Sequence, residues 1–243
     1  MKLTLVEKKD EAKGTKSFFF KPEKEVSWMA GQYYYYTLPK LNYPDGRGAT
    51  RHITISSSPT EGGLLRLTTR VRDESGFKKT LDELPIGAVV DGEGPTGTFI
   101  LDEKNKDINV FLAGGIGVTP FRSMIKYATD KKLNIPLYLI YSNSVPEEIA
   151  FREEFEGLAT ANPNFKVAMT VSKPEESKEK WNGTVGRIDE NLIKTLLGGW
   201  GLDVNGVVFW ICGPPPMVDA MEDVLGKMGI SSSKVLSEKF TGY

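Results

Sequence analysis

Three short stretches hold residues whose types and order can do chemistry: Arg51-His52-Ile53-Thr54, Gly114-Gly115-Ile116-Gly117 and Cys212-Gly213-Pro214-Pro215-Pro216-Met217. In the second, glycines follow an apolar run and precede a helical pattern. Backbone N–H groups without side chains approach an anion closely, and a helix N-terminus adds partial positive charge, so a pyrophosphate fits such a turn. A tight strand-to-helix turn with no ligand needs the same glycines, and Pro120 stands where the usual dinucleotide fingerprint has its third. The third stretch lies at the carboxyl end of an expected strand, where open α/β sheets bind ligands. Its prolines stiffen the turn, and Pro216 can begin a helix without needing its N–H. Cys212 is expected just above the sheet edge, with a small buried hydrophobe as the competing reading. In the first stretch Arg51 offers a guanidinium suited to a phosphate, and Thr54 a hydroxyl for a polar ring atom. A barrel strand with a surface arginine is the alternative. Ser75-Gly76-Phe77-Lys78 precedes a short helix, and its amides suit a phosphate too.

Two kinds of element must position these residues. Residues 1–101 offer short β-rich runs separated by turn residues: Leu3–Glu7, Lys16–Lys21, Gln32–Leu38, Arg51–Ile55, Leu64–Val71 and Val89–Glu93. Such regular short strands predict an antiparallel barrel or sandwich. Tyrosines 33–36 alternate between its faces. Pro39–Gly48 reads as an exposed loop, and Thr80–Leu84 as a helical turn. Beyond Asp102 strands alternate with helices. Ile108–Ala113, Leu137–Tyr141, Phe165–Val171, Val207–Cys212 and Val235–Ser237 are parallel-strand candidates. Helices are expected from Pro120, with Phe121, Met124, Ile125 and Ala128 on one face, over about Glu147–Ala159, and over Pro216–Met228. This grammar predicts a doubly wound α/β domain. The polar turn Asp102–Asp107 places the boundary, giving domains over 1–102 and 103–243, with Ser172–Gly183 as a surface loop of the second.

The composition narrows the chemistry. A net charge of −1 over 243 residues gives no electrostatic case for nucleic acid or an anionic membrane. One cysteine allows no internal disulfide or iron–sulfur cluster, and the one histidine, His52, no zinc cluster, so no metal site is expected. No paired-carboxylate or Ser-His-Asp constellation supports a hydrolase. The N-terminus turns charged after six residues, which predicts no signal peptide, and Val207–Cys212 is too short to span a bilayer. A reducing, cytoplasmic setting is expected.

Taken together and in order, AGQYYYY (30–36), RHITISSSP (51–59), SGFKKTL (75–81), GPTGTF (94–99), AGGIGVTPF (113–121), CGPPPM (212–217) and the terminal SEKFTGY resemble the ferredoxin–NADP reductase superfamily along essentially the whole chain. The resemblance implies a six-stranded antiparallel Greek-key flavin-binding barrel followed by a doubly wound parallel-sheet domain for NAD(P)H. It implies FAD, with FMN as the alternative, and puts Arg51 on the flavin pyrophosphate and Thr54 near flavin N5. His52, Ile53, Thr68, Thr69, Arg70, Ser75, Gly76, Phe77 and Lys78 join them as cofactor contacts. Gly114, Gly115, Gly117, Thr119, Pro120, Ser142, Asn143, Gly213, Pro214 and Met217 face the nicotinamide cofactor, with Cys212 near its C4. Thr54, Cys212 and Glu238 form the catalytic surround. Phe240 and Tyr243 compete as the terminal aromatic that covers the flavin. Two departures stand out: Ile53 replaces the family's Tyr or Phe, and Ser144 replaces an arginine suited to the 2′-phosphate of NADP. The second favours NADH, unless Lys173 or Arg187 serves instead. The implied reaction passes hydride between NAD(P)H and FAD, then single electrons to or from a separate carrier such as ferredoxin, flavodoxin or an oxygenase component. The chain itself is expected as a monomer or homodimer. A reductase of free flavin, quinone or metal chelate, or a redox subunit of a larger complex, is the alternative.

Overall fold

The computed structural model describes residues 1–241, so the expectation for Tyr243 lies outside the described residues. Apolar side chains at alternate positions turn into one core from six strands: β1 (Lys2–Ala12), β2 (Thr15–Pro22), β3 (Tyr33–Thr37), β4 (Thr50–Thr54), β5 (Leu65–Arg70) and β6 (Val89–Thr96). Tyr34 and Tyr36 face inward, fully buried, while Tyr33 and Tyr35 face out and pack against His52 at ring-centroid distances of 5.2 and 5.7 Å. The antiparallel order is β4-β3-β6-β1-β2-β5, and β6 returns in Greek-key fashion to lie between β1 and β3. A bridge between Ile55 and Leu67 joins the two outer strands and closes the barrel. Helix α1 (Gly76–Glu83), longer than the turn expected at Thr80–Leu84, adds Phe77 and Leu81 to this core.

The remainder forms a parallel sheet in the order β10-β9-β8-β7-β11-β12. Its strands are β7 (Ile108–Gly114), β8 (Leu137–Asn143), β9 (Phe165–Val171), β10 (Thr184–Val185), β11 (Val207–Gly213) and β12 (Val235–Lys239). Helices α2 (Thr119–Asp130) and α3 (Arg152–Ala161) cover one face, and α4 (Glu190–Gly199) and α5 (Pro215–Lys227) the other. The strand order reverses between the parallel neighbours β7 and β11, the switch point where such sheets take ligands. Among the described residues no helix is long and apolar enough to cross a membrane.

One sequence expectation needs correction, and two elements come in addition to those expected. The helix expected from Glu147 starts at Arg152: Pro146–Glu148 forms a separate 3-10 turn, and Phe151, at φ 60°, redirects the chain between them. α4 escaped notice because Gly198 and Gly199 end its sequence like a loop, although Asp189 caps it through Leu192 N–H at 2.8 Å and Ile193 and Leu197 are buried. β10 is only two residues long, too short for a periodicity to show.

Barrel and sheet are held together twice. Ala30, Phe99 and Leu101 join the core of the α2–α3 face, where Phe99 meets Trp210 at 5.0 Å and Phe121 stacks on Phe111 at 4.5 Å. Burying each large side chain there contributes about 1.5–3 kcal/mol. Beside it, the buried guanidinium of Arg122 on α2 donates to Ser56 O at 2.9 Å and pairs with Glu61 of the barrel side and Glu154 of α3. Their relative placement, and so the cleft between them, is fixed by packing and by a charge network.

Candidate active site

The glycine loop and the proline loop meet backbone to backbone at the switch point. A Cβ on Gly117 would lie 2.3 Å from Cys212 O and 2.5 Å from Gly213 Cα, so no side chain fits there. Beside them opens a cleft of about 420 Å³ lined by Gly114, Gly115, Ser142, Asn143, Pro214 and Met217 among others. Asn143 is buried in its wall with the Tyr141 hydroxyl beside it, and neither amide atom makes a hydrogen bond of full geometry. So poorly bonded an amide is costly in a finished interior and is expected where a ligand completes the bonding. Thr119, by contrast, uses its hydroxyl on Ile116 O at 3.1 Å, and Pro120 sits in the first turn of α2. Arg70 reaches from the barrel to the rim of the cleft, held by Glu148 at 2.9 Å. Ser144 and Arg187 share that rim, while Lys173 is paired with Glu176 at 2.7 Å.

A second hollow lies where β4 ends against β12. Thr54, His52 and Tyr33 line it from the barrel, and Glu238 and Phe240 from the sheet. It shares Tyr33 and Glu238 with a groove of about 590 Å³ that runs on past Thr96 and Phe99. Cys212 lies level with Glu238 across β11 and β12. Burial, then the Glu238 charge, pushes the Cys212 thiol well up, so it stays protonated and is no nucleophile. Glu238 Oε2 is buried without a hydrogen-bond partner, and desolvation lifts the carboxyl to about 7. A carboxyl that titrates near neutrality can hold or release a proton at working pH. Phe240 is fixed by its N–H to Gly213 O at 2.9 Å. Ile53 turns away, into the barrel core.

The third group is an anion cradle. The Phe77 N–H, the Ser75 hydroxyl and the Arg51 guanidinium converge at the first turn of α1 on one carboxylate, that of Asp45, at 3.0, 3.2 and 2.5 Å. The room is made by Gly76, whose Cβ would lie 2.4 Å from Pro44 O. Lys78, buried in the same turn, is pushed down to about 8 by burial and then by Arg72, Arg51, Arg47 and Arg70. The Arg51 guanidinium and the helix-start N–H groups, in the positive field that depresses Lys78, suit a diphosphate.

The structure thus gathers most of the expected residues into three neighbouring places. It does not gather Thr68, whose hydroxyl bonds Ser17 and Ser56 at 2.7 Å each, or Thr69, fully buried with its hydroxyl on Arg70 O at 3.4 Å. Sequence reasoning did not single out Tyr33 or Asp45. Tyrosine alternation places Tyr33 on a face without saying what meets it. Asp45 reads as part of an ordinary turn beside Arg47 and Arg51, because the donors that reveal the cradle, Ser75 and Phe77, lie 30 and 32 residues away.

The cradle's donors, the weakly bonded Asn143 amide and the partnerless Glu238 Oε2 fit a flavin and a nicotinamide nucleotide. Known proteins agree on the class. Residues 2–100 match the oxidoreductase FAD-binding domain and residues 111–223 the oxidoreductase NAD-binding domain. The chain belongs to the ferredoxin–NADP reductase superfamily and is built as an FAD- and NAD(P)H-binding oxidoreductase. It is 29% identical over 197 residues to the glycine betaine monooxygenase reductase subunit of Chromohalobacter salexigens, covering 81% of this chain and 52% of that one. It is 28% identical over 194 residues to NADH-cytochrome b5 reductase 1 of Neosartorya fischeri, covering 77% and 61%. The chain therefore spans roughly half to three fifths of those relatives' lengths. The fold matches a ferredoxin NADP+ reductase from Neisseria gonorrhoeae with a TM-score of 0.80 at 18% identity, over 98% of each chain.

Proposed function

We propose that the chain takes hydride from NADH through FAD and delivers single electrons to a separate protein carrier: a ferredoxin, a flavodoxin or an oxygenase component. The observation that carries this reading is the meeting of Thr54, from the barrel, with Glu238 and Phe240, from the last strand, beside the converging glycine and proline loops. FAD, when bound, supplies the conversion between two-electron and one-electron chemistry. The chain's residues bind and orient. Arg51 and the first turn of α1 hold the diphosphate. The Thr54 hydroxyl orients the flavin ring edge, Phe240 shields it from water, and Glu238 keeps a proton at Oε2 within reach. Asn143 and Gly114–Gly117 hold the nicotinamide nucleotide, with Cys212 packed behind. The oxygenase-reductase relative supports the separate carrier, and Ser144 at the rim together with the NADH-dependent relative supports NADH. The division near residue 102 into a flavin half and a nicotinamide half, and a cytoplasmic location, belong to the same reading.

Protein reconstituted with FAD and fed NADH anaerobically should reduce a ferredoxin in single-electron steps, with kcat/KM for NADH above that for NADPH. One observation favours a second reading, a reductase that releases its flavin: Asp45 already satisfies the cradle. Reduction of free flavin with no reduction of any protein carrier would select it.

A further inference from the structure

We propose that Asp45 is an internal anion that competes with the flavin's phosphates for the cradle of Arg51, Ser75 and the first turn of α1, and so sets flavin affinity. The inference rests on the reading that this cradle takes the flavin diphosphate.

Asp45 belongs to the connection between β3 and β4, which folds over α1. The Asn42 N–H donates to Thr80 Oγ1 at 2.9 Å, the Tyr43 hydroxyl donates to Glu83, and Pro44 O packs where Gly76 has no side chain. This seating delivers the Asp45 carboxylate, 7% exposed, to four donors. The N–H groups of Phe77 and Arg47 lie at 3.0 Å each, the Ser75 hydroxyl at 3.2 Å and Arg51 Nη2 at 2.5 Å. Backbone N–H groups at a helix start, a hydroxyl and a guanidinium are the donors a phosphate uses. Burial alone would raise the Asp45 carboxyl; the N–H groups of Phe77 and Arg47 and the Arg51 guanidinium outweigh it and hold it at about 2. Asp45 is therefore an anion throughout the neutral range.

Arg51 is pinned where it stands. Its Nη1 donates to the carbonyls of Arg47, Gly48 and Thr50 at 3.1, 2.8 and 2.7 Å, leaving Nη2 for the anion. An incoming phosphate oxygen reaches Nη2, Phe77 N–H and Ser75 Oγ only if the carboxylate moves away. The apparent affinity is then the intrinsic affinity multiplied by the fraction of molecules whose cradle is open. A diphosphate carries more negative charge than one carboxylate, so it gains more than Asp45 does from the guanidinium groups whose field depresses Lys78.

The test is the binding of FAD, riboflavin and inorganic pyrophosphate to the flavin-free chain, read by fluorescence quenching for the flavins and by calorimetry for pyrophosphate. Asp45→Asn keeps the side chain's shape and removes its charge, and Asp45→Ala removes both. Both variants should bind FAD and pyrophosphate about tenfold or more tighter than the wild type, about 1.4 kcal/mol per tenfold. Riboflavin, which has no phosphate, should bind all three alike. Weaker FAD and pyrophosphate binding by both variants would overturn the proposal and make Asp45 a strut of the loop. An equal gain for riboflavin and FAD would overturn it as well. Pyrophosphate tightened by Asp45→Asn with no flavin bound to any variant would uphold the competition and remove the flavin reading instead.

Discussion

At the barrel end of the molecule, the Phe77 N–H, the Ser75 hydroxyl and Arg51 all terminate on Asp45; at the sheet end, Glu238 Oε2 terminates on no protein group and the Asn143 amide has only the Tyr141 hydroxyl beside it. Both places suit charged parts of a cofactor, yet one is completed by the chain itself and the other is left incomplete. Unpaired buried polar atoms destabilise a fold by about 1–3 kcal/mol each unless a ligand meets them. The incomplete cleft therefore gains bonds from any nucleotide that enters, as suits a co-substrate that comes and goes. The completed cradle must exchange one anion for another, which makes flavin affinity a property of the loop over 39–48 as much as of the barrel.

The largest test of this contrast is Arg51→Ala. Removing the cation strips Asp45 of its ion-pair partner and leaves it the Phe77 and Arg47 N–H groups and the Ser75 hydroxyl, and the flavin-free protein should lose about 3 kcal/mol, seen in chemical unfolding, along with most flavin binding. A nearly neutral effect on stability with flavin retained would break the contrast. Glu238 gives the next effect. Its carboxyl is held near 7 in the fold, above the usual ~4.3 of a free glutamate. Folding favours its protonated form, so that contribution is complete below about pH 4 and is lost as the pH rises through 7. Glu238→Gln removes the dependence. Its stability advantage over the wild type should grow by about 2–3 kcal/mol between pH 5 and pH 8, checked by unfolding at both values.

Gly117→Ala sharpens the sheet side. Its Cβ would collide with Cys212 O, so the two loops must part, at about 1–3 kcal/mol, and NADH affinity should fall while FAD affinity holds. Two separate titrations show whether the losses divide in this way. The smallest expected effect is the most specific. Asn143→Leu replaces a weakly bonded amide by an apolar side chain but takes the Tyr141 hydroxyl's neighbour away, so the flavin-free protein should change in stability by no more than about 1 kcal/mol while NADH binding weakens. A thermal scan and a titration on the same sample read both effects.

How much of this the sequence discloses depends on whether a residue acts through its own backbone or through a distant partner. Gly117 is legible because close backbone contact leaves no alternative to glycine, Gly114 and Gly213 pack tightly against Met217, and the proline run after Cys212 marks a loop at a sheet end. The barrel strands show their alternation, and β6 continues to Thr96, past the expected Glu93, because its last residues still pair with β3. The α3 start is hidden because Phe151 adopts a left-handed φ that no local pattern announces. Asp45 lies in a stretch that reads as an ordinary turn, and only folding brings it to Phe77. Thr68 has the right neighbours in sequence for a cofactor contact, yet strand pairing commits its hydroxyl to Ser17 and Ser56.

A flavin–nicotinamide site at the meeting of barrel and sheet is what the proposed function requires. The visible spectrum of the protein mixed with FAD, before and after anaerobic NADH, tests for it. A yellow protein with perturbed flavin bands that bleaches on NADH addition is expected. A protein that leaves FAD unperturbed and its reduction no faster than in buffer would contradict it.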